Sequence, residues 1–133
     1  MIISDSDKYI HFLSKPYEGS THDYGILKAE FPPEKDWFKN QEVQLDLGYQ
    51  VFTKDYSCKK VIIPHKKPTN QDLSEEKKKA NKSMSKKRIF VEHSIGGLKR
   101  YRILSDRLRI HDKELYNSVL VVCAGLWNFN LKY

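Results

Sequence analysis

The stretch from Lys86 to Leu104, KKRIFVEHSIGGLKRYRIL, holds one acidic residue, Glu92, among cations and apolar side chains. Read as a helix, it places Arg88 four residues before Glu92 and Lys99 seven after, so both fall close to the Glu92 face. Val91, Ile95 and Leu98 follow the i, i+4, i+7 spacing and are expected to mark the buried side. A carboxylate held at the edge of a packed face and flanked by cations suits divalent-metal binding, with the cations holding phosphates. The same pattern also describes an ordinary amphipathic helix with Glu92 ion-paired to Arg88 at i, i+4. Spacing alone leaves both readings open.

A second carboxylate stands out in EVQLDLGY, Glu42 to Tyr49. Val43, Leu45 and Leu47 alternate with Glu42, Gln44 and Asp46. That alternation predicts a strand with Asp46 near its C-terminal end and Gly48 starting the turn. The carboxyl end of a sheet strand is where α/β folds place ligands. A solvent-facing position on an edge strand fits equally well. Asp5 and Asp7 read as turn residues rather than metal ligands. Cys58 and Cys123 form neither a CxxC pair nor a Cys/His zinc spacing, and are expected to be free thiols.

The elements that must position these groups follow from local pattern. Residues 1–4 and 9–14 read as two strands of a hairpin around Asp5-Ser6-Asp7-Lys8. A helix is expected from about His22 to Glu30, capped by Ser20 or Thr21, with Asp23 in its first turn, and ending before Pro32-Pro33. Trp37 and Phe38 should anchor the loop that follows. Val61–Ile63 reads as a short strand closed by Pro64, leading into the basic loop His65-Lys66-Lys67-Pro68. Residues 69–85 form an exposed helix or a mobile segment, with a capping-box pattern at Ser74-Glu75-Glu76-Lys77. The central helix is expected to begin near Ser85. Gly96-Gly97 inside it costs roughly 1 kcal/mol per residue, which implies close approach of another backbone or a break. A last helix, about Lys113 to Leu126, carries Leu115, Val119, Val122 and Leu126 on one stripe. Trp127, Phe129 and Leu131 should pack back onto the sheet.

The 133 residues suit one domain, and 12% aromatic content argues against disorder. The net charge is +7, but residues 59–102 alone carry 14 Lys/Arg against four Asp/Glu, leaving −3 for the remainder. A localised basic block points to a polyanion, nucleic acid first, although surface charge for solubility would read the same way. No apolar run reaches membrane-spanning length and no secretory leader pattern is visible.

Several strings in order carry a resemblance: GSTHD (19–23), LDLGY (45–49), IIPHKKP (62–68), Asn81 with Ser85, and RIFVEHSIGGLKRYRIL (88–104). Together they resemble the C-terminal part of a DDE superfamily endonuclease, the DDE transposase group of bacterial insertion sequences related to Harbinger-type elements. The resemblance covers almost the whole chain. It implies an α/β, RNase H-like fold, with a mixed sheet flanked by helices. The chain opens on what would be the family's second strand and lacks the first, central one. Residues 1–133 would then be the C-terminal part of such a catalytic domain.

The resemblance also implies a chemistry: metal-dependent DNA cleavage and strand transfer by three carboxylates holding two Mg2+ or Mn2+ ions. Two-metal sites place the ions about 3.5–4 Å apart, one activating the attacking oxygen and one stabilising the leaving oxygen. Asp46 matches the second Asp and Glu92 the Glu, with 45 residues between them. The first Asp has no counterpart, and Asp5 and Asp7 do not match it. An upstream polypeptide is therefore expected to carry it. The other reading is a non-catalytic nucleic-acid-binding remnant. His22 and Asp23 are expected to start and pack a helix rather than react. Lys66, Lys67, Arg88, Lys99, Arg100 and Arg102 are expected to contact the DNA backbone. The implied partners are transposon ends and target DNA, and further copies of the chain. The implied location is the bacterial cytoplasm, on the nucleoid when DNA is bound.

Overall fold

A computed structural model describes residues 1–106 and 109–133. The architecture is mixed α/β. The chain divides into two compact units, Met1–Ser20 with Ile89–Tyr133, and Thr21–Arg88.

The first unit starts with the expected hairpin. Strand β1 (Ile2–Ser4) pairs antiparallel with β2 (Ile10–Leu13), with Ile3 opposite Phe12 and a register shift between Ile3 and Ser4. Asp5 builds the turn: its Oδ1 accepts the main-chain N–H groups of Asp7 (2.9 Å) and Tyr9 (3.0 Å), and its Oδ2 meets His11 Nε2 at 2.8 Å. Burial pushes the Asp5 pKa up, but the His11 hydrogen bond and the two amides outweigh it, and the net shift is downward. Lys8 takes a left-handed conformation, φ 68°. Its carbonyl accepts from Ser94 Oγ at 2.9 Å and from Trp127 Nε1 at 3.0 Å, which holds that unfavourable backbone in place.

The two long helices are longer than the sequence pattern suggests. Helix α3 spans Glu75–Lys99 and α5 spans Lys113–Lys132. The lysine-rich segment after Ser74 is the first half of α3, not a separate element. The expected buried set Val91, Ile95, Leu98 is corrected: Ser94, Gly97 and Leu98 are buried, whereas Ile95 is 36% exposed. Ser94 is tolerated there because its hydroxyl is satisfied by Lys8 O and, at 3.1 Å, by Phe90 O. The Gly96-Gly97 pair does not break the helix. What approaches Gly97 is the Trp127 indole, not a backbone.

Helix α5 is capped by Asp112, whose side chain accepts from Glu114 N and Leu115 N. Its expected apolar stripe is also corrected. Val119 packs against the core of Ile10, Leu98, Cys123 and Ala124, but Leu115, Val122 and Leu126 face outward. Phe129 and Leu131, expected to pack back on the sheet, are 59% and 38% exposed. Cys123 and Ala124 serve the core instead, because small side chains let the hairpin lie close. Asn128 then reaches β2, accepting from Ile10 N and donating to Ile10 O, both at 2.8 Å.

The second unit is built on aromatic packing. Helix α1 (Asp23–Glu30) buries Ile26 and Leu27, and the short helix α2 (Phe52–Asp55) buries Phe52 completely. Phe52 stacks on Tyr56 with centroids 4.8 Å apart, and Phe38 meets both at 5.6 Å. Phe31 joins Trp37 and Phe38, so the loop after α1 is anchored as expected. The N-cap of α1 is His22, with no side-chain capping bond, in place of Ser20 or Thr21. Strands β3 (Glu42–Gln44) and β4 (Lys60–Ile62) pair in parallel, with Val43 opposite Val61. Among the described residues the strands therefore form two separate two-stranded sheets. A four-residue helix α4 (Arg102–Ser105) follows α3 in the first unit.

Candidate functional site

The strand predicted from Glu42 up to the turn at Gly48 stops at Gln44, and the reason lies in Asp46 itself. Leu45 N still donates to Ile62 O at 2.9 Å, the last rung of the parallel ladder. Asp46 Oδ1 then accepts from Leu47 N at 2.7 Å, and Tyr49 N donates to Asp46 O, closing a 3-10 turn over Leu47–Tyr49. A carboxylate that bonds its own following amide competes with the ladder and ends it. Asp46 therefore sits just beyond the carboxyl end of a parallel strand, on a turn, with its side chain 49% exposed.

Helix α3 delivers a cation beside it. Gln44 Nε2 donates to Met84 O at 3.0 Å, tying the helix to the end of β3. One turn on, Arg88 Nη1 contacts Asp46 Oδ1 at 3.1 Å. One turn back, Asn81 clamps the loop after β4: its Oδ1 accepts from His65 N at 2.8 Å and its Nδ2 donates to His65 O at 3.0 Å. Ser85 Oγ donates to Asn81 O. The clamp fixes the start of the Lys66-Lys67 loop, where both lysines are exposed and Lys67 pairs with Asp72 at 2.7 Å. The i, i+4 spacing of Asn81 and Ser85 was visible in the sequence. That Asn81 holds the basic loop was not, because its partner is a main-chain group.

Tyr49 lies among carboxylates. Burial pushes its pKa up to about 12, with the charges of Asp23 and Asp46 adding to the rise. Asp23 thus belongs to the electrostatic surroundings of Asp46, beyond its place in the first turn of α1. A neighbouring cluster joins α1 to α2. Tyr24 Oη donates to Asp55 at 2.5 Å, and Lys28 Nζ meets the same carboxylate at 2.6 Å. Lys28 first, and Tyr24 second, hold the Asp55 pKa below its ordinary value. Tyr24 and Lys28 stand one turn apart on α1, but no local pattern pointed to Asp55, which lies 31 residues beyond Tyr24.

Glu92 is exposed on the part of α3 that belongs to the first unit. Lys99, Arg100 and Arg102 are exposed in that unit as well; Arg100 stacks over the Trp127 ring at 5.9 Å and Arg102 Nε faces Asp106 at 3.7 Å. The expected DNA contacts therefore fall into two sets: Lys66, Lys67 and Arg88 in the second unit, and Lys99, Arg100 and Arg102 in the first. Among the described residues no three His, Cys, Asp or Glu side chains converge as metal ligands. Asp46 spends Oδ1 on Arg88 and Leu47. The described residues do not by themselves fit a metal pair, which needs bridging carboxylates.

Residues 1–128 match the family described as DDE superfamily endonuclease. The chain belongs to that family. This DDE superfamily endonuclease chain is also 32% identical over 115 residues to a probable transposase for insertion sequence element IS702 from Microchaete diplosiphon, a match covering 86% of the chain and 39% of that relative. The chain thus spans about two fifths of the relative's length. No solved structure matches it. No helix among the described residues of the DDE chain is long and apolar enough to cross a membrane.

Proposed function

We propose that this chain is the C-terminal part of the RNase H-like catalytic domain of a DNA transposase, incomplete alone, that cleaves DNA and transfers strands with divalent ions. The family match across residues 1–128 carries this reading. Asp46 and Glu92 are its contribution to a three-carboxylate site for Mg2+ or Mn2+, and an upstream polypeptide supplies the first Asp. Asp46 suits the role by its place: it stands past the end of a parallel strand, half exposed, and its ion pair among the described residues is with the exposed Arg88 guanidinium. An exposed ion pair is worth about 1 kcal/mol or less, so Asp46 is released from Arg88 at little cost. Lys66, Lys67, Arg88, Lys99, Arg100 and Arg102 contact the phosphates of transposon ends and target, in the cytoplasm and on the nucleoid. The test joins this chain to its upstream polypeptide and follows manganese-dependent nicking of supercoiled DNA. Asp46→Ala and Glu92→Ala each abolish nicking and leave DNA binding intact. Nicking retained by either variant refutes the assignment.

The second reading is a nucleic-acid-binding remnant without catalysis. It is supported by the exposed cations, which hold phosphates without any metal. On this reading DNA affinity falls steeply with salt, and the joined polypeptide nicks nothing under Mn2+ or Mg2+.

A further inference from the structure

The basic loop after β4 is held at both ends. Pro64 fixes its own φ and has no N–H to continue a ladder. The next residue, His65, is gripped through its main chain by Asn81 of α3, which accepts from His65 N at 2.8 Å and donates to His65 O at 3.0 Å. At the far end Lys67 precedes Pro68, which confines its backbone to extended conformations. Lys66 therefore lies between a gripped residue and a restricted one. Lys67 Nζ meets Asp72 Oδ1 at 2.7 Å, with both side chains well exposed. Such a pair is worth little, so a phosphate displaces the Asp72 carboxylate at little cost.

We propose that Asn81 is a positioning residue for DNA: by gripping His65 it presents Lys66 and Lys67 as a pre-ordered pair to the sugar–phosphate backbone. This rests on the reading of those two lysines as phosphate contacts. The grip does little for the fold, since His65, Lys66 and Lys67 are all exposed and none belongs to the buried core. What it fixes is the direction of two cations. A slack loop would lose its freedom when DNA arrives, and that entropy would be subtracted from affinity; a loop ordered beforehand avoids the loss. The grip also refers the lysines to the frame of Asp46. The helix that carries Asn81 is tied to the end of β3 by Gln44 Nε2 on Met84 O at 3.0 Å, and its Arg88 contacts Asp46 at 3.1 Å. Loop, strand end and helix thus share one set of polar ties within the second unit.

A fluorescein-labelled DNA duplex of arbitrary sequence, titrated with the full chain across a salt series, tests this. Asn81→Ala keeps α3, because alanine favours a helix. It should raise Kd about five- to thirtyfold, the entropy of re-ordering one loop residue read as an equilibrium constant. Lys66→Ala with Lys67→Ala removes what the grip presents. In that background Asn81→Ala should change Kd by less than about twofold, a cancellation that a merely structural role would not produce. Hydrogen exchange without DNA gives a second reading: the His65 amide should exchange about tenfold more slowly in the wild type than in Asn81→Ala. An Asn81→Ala chain that binds as tightly as the wild type overturns the proposal and leaves the phosphate reading standing. So does equal weakening with and without the two lysines, or a His65 amide that exchanges alike in both chains. A wild type that binds no DNA, or binds it indifferently to salt, overturns the phosphate reading and the proposal with it.

Discussion

Gly96 and Gly97 are neighbours in one helix, and alanine should act on them with opposite sign. A Cβ on Gly97 would fall within the Trp127 ring, against Cε3 and Cζ3 and 2.6 Å from Cδ2. No carbon pair tolerates that, so the indole must move. It is not free to do so: Nε1 donates to Lys8 O at 3.0 Å, and the ring packs against the core of the first unit. Overpacking of this kind costs about 1–3 kcal/mol, and losing the Lys8 bond adds about 1 kcal/mol. The gain in helix propensity returns about 1 kcal/mol. Gly97→Ala should therefore destabilise the chain by about 1–3 kcal/mol. For a chain of this size that lowers Tm by roughly 4–12 °C. At Gly96 nothing lies within 4 Å of the added methyl. Gly96→Ala keeps the propensity gain alone and should raise Tm by a few degrees. Thermal unfolding followed by far-ultraviolet circular dichroism reads both. A Gly97→Ala chain that melts at or above the wild-type temperature would refute the close packing of Trp127 on α3.

Other expectations follow from single contacts. Asn128→Ala strips both hydrogen-bond partners from the main chain of Ile10 and should cost about 2–3 kcal/mol in urea unfolding; a loss under about 0.5 kcal/mol would show that the clamp is idle. Asp112→Ala removes the α5 cap and should cost about 1 kcal/mol by the same measurement. The Asp55 pKa is depressed in the folded chain, so its stabilisation is complete above the unfolded value, near 3.8, and fades as pH falls through the folded value. Asp55→Asn should flatten the acid limb of a Tm–pH curve in that window, and an unchanged limb would contradict the Lys28 and Tyr24 contacts. Arg88→Ala should change stability by less than about 1 kcal/mol, because its pair with Asp46 is half exposed, yet lower the salt slope of DNA binding by about 1. An unaltered slope would remove Arg88 from the phosphate contacts.

What could be read from the sequence divides by the range of the cause. The hairpin around Asp5, helix α1 and the strand at Val61 are set by turn residues and local alternation, and they stand within a residue or two of expectation. The family was legible for a similar reason, since its strings are short and contiguous. Faces were harder. Val91, Ile95 and Leu98 share helical spacing, but the face that packs is chosen by the Trp127 indole and the Lys8 carbonyl, which lie far along the chain. The outward stripe on α5 was misassigned because both of its faces are apolar, so periodicity alone cannot say which meets the core. At Asp46 the residue was legible and its backbone was not. Alternation extended the strand through Leu47 to a turn at Gly48, while the Asp46 carboxylate turned the chain two residues after Gln44.

The Asn128 carboxamide presents to Ile10 the same donor and acceptor that a peptide group of a neighbouring strand would present. It plugs that flank of β2 at its first residue. An unplugged strand edge recruits other strands, whether wanted or not. Among the described residues each strand of this hairpin has the other as its one strand neighbour, so what covers the flank of β2 is a side chain and not a strand. A strand arriving from elsewhere meets a stoppered side at β2. A side chain 118 residues further along the chain thus closes one flank of the hairpin to added strands.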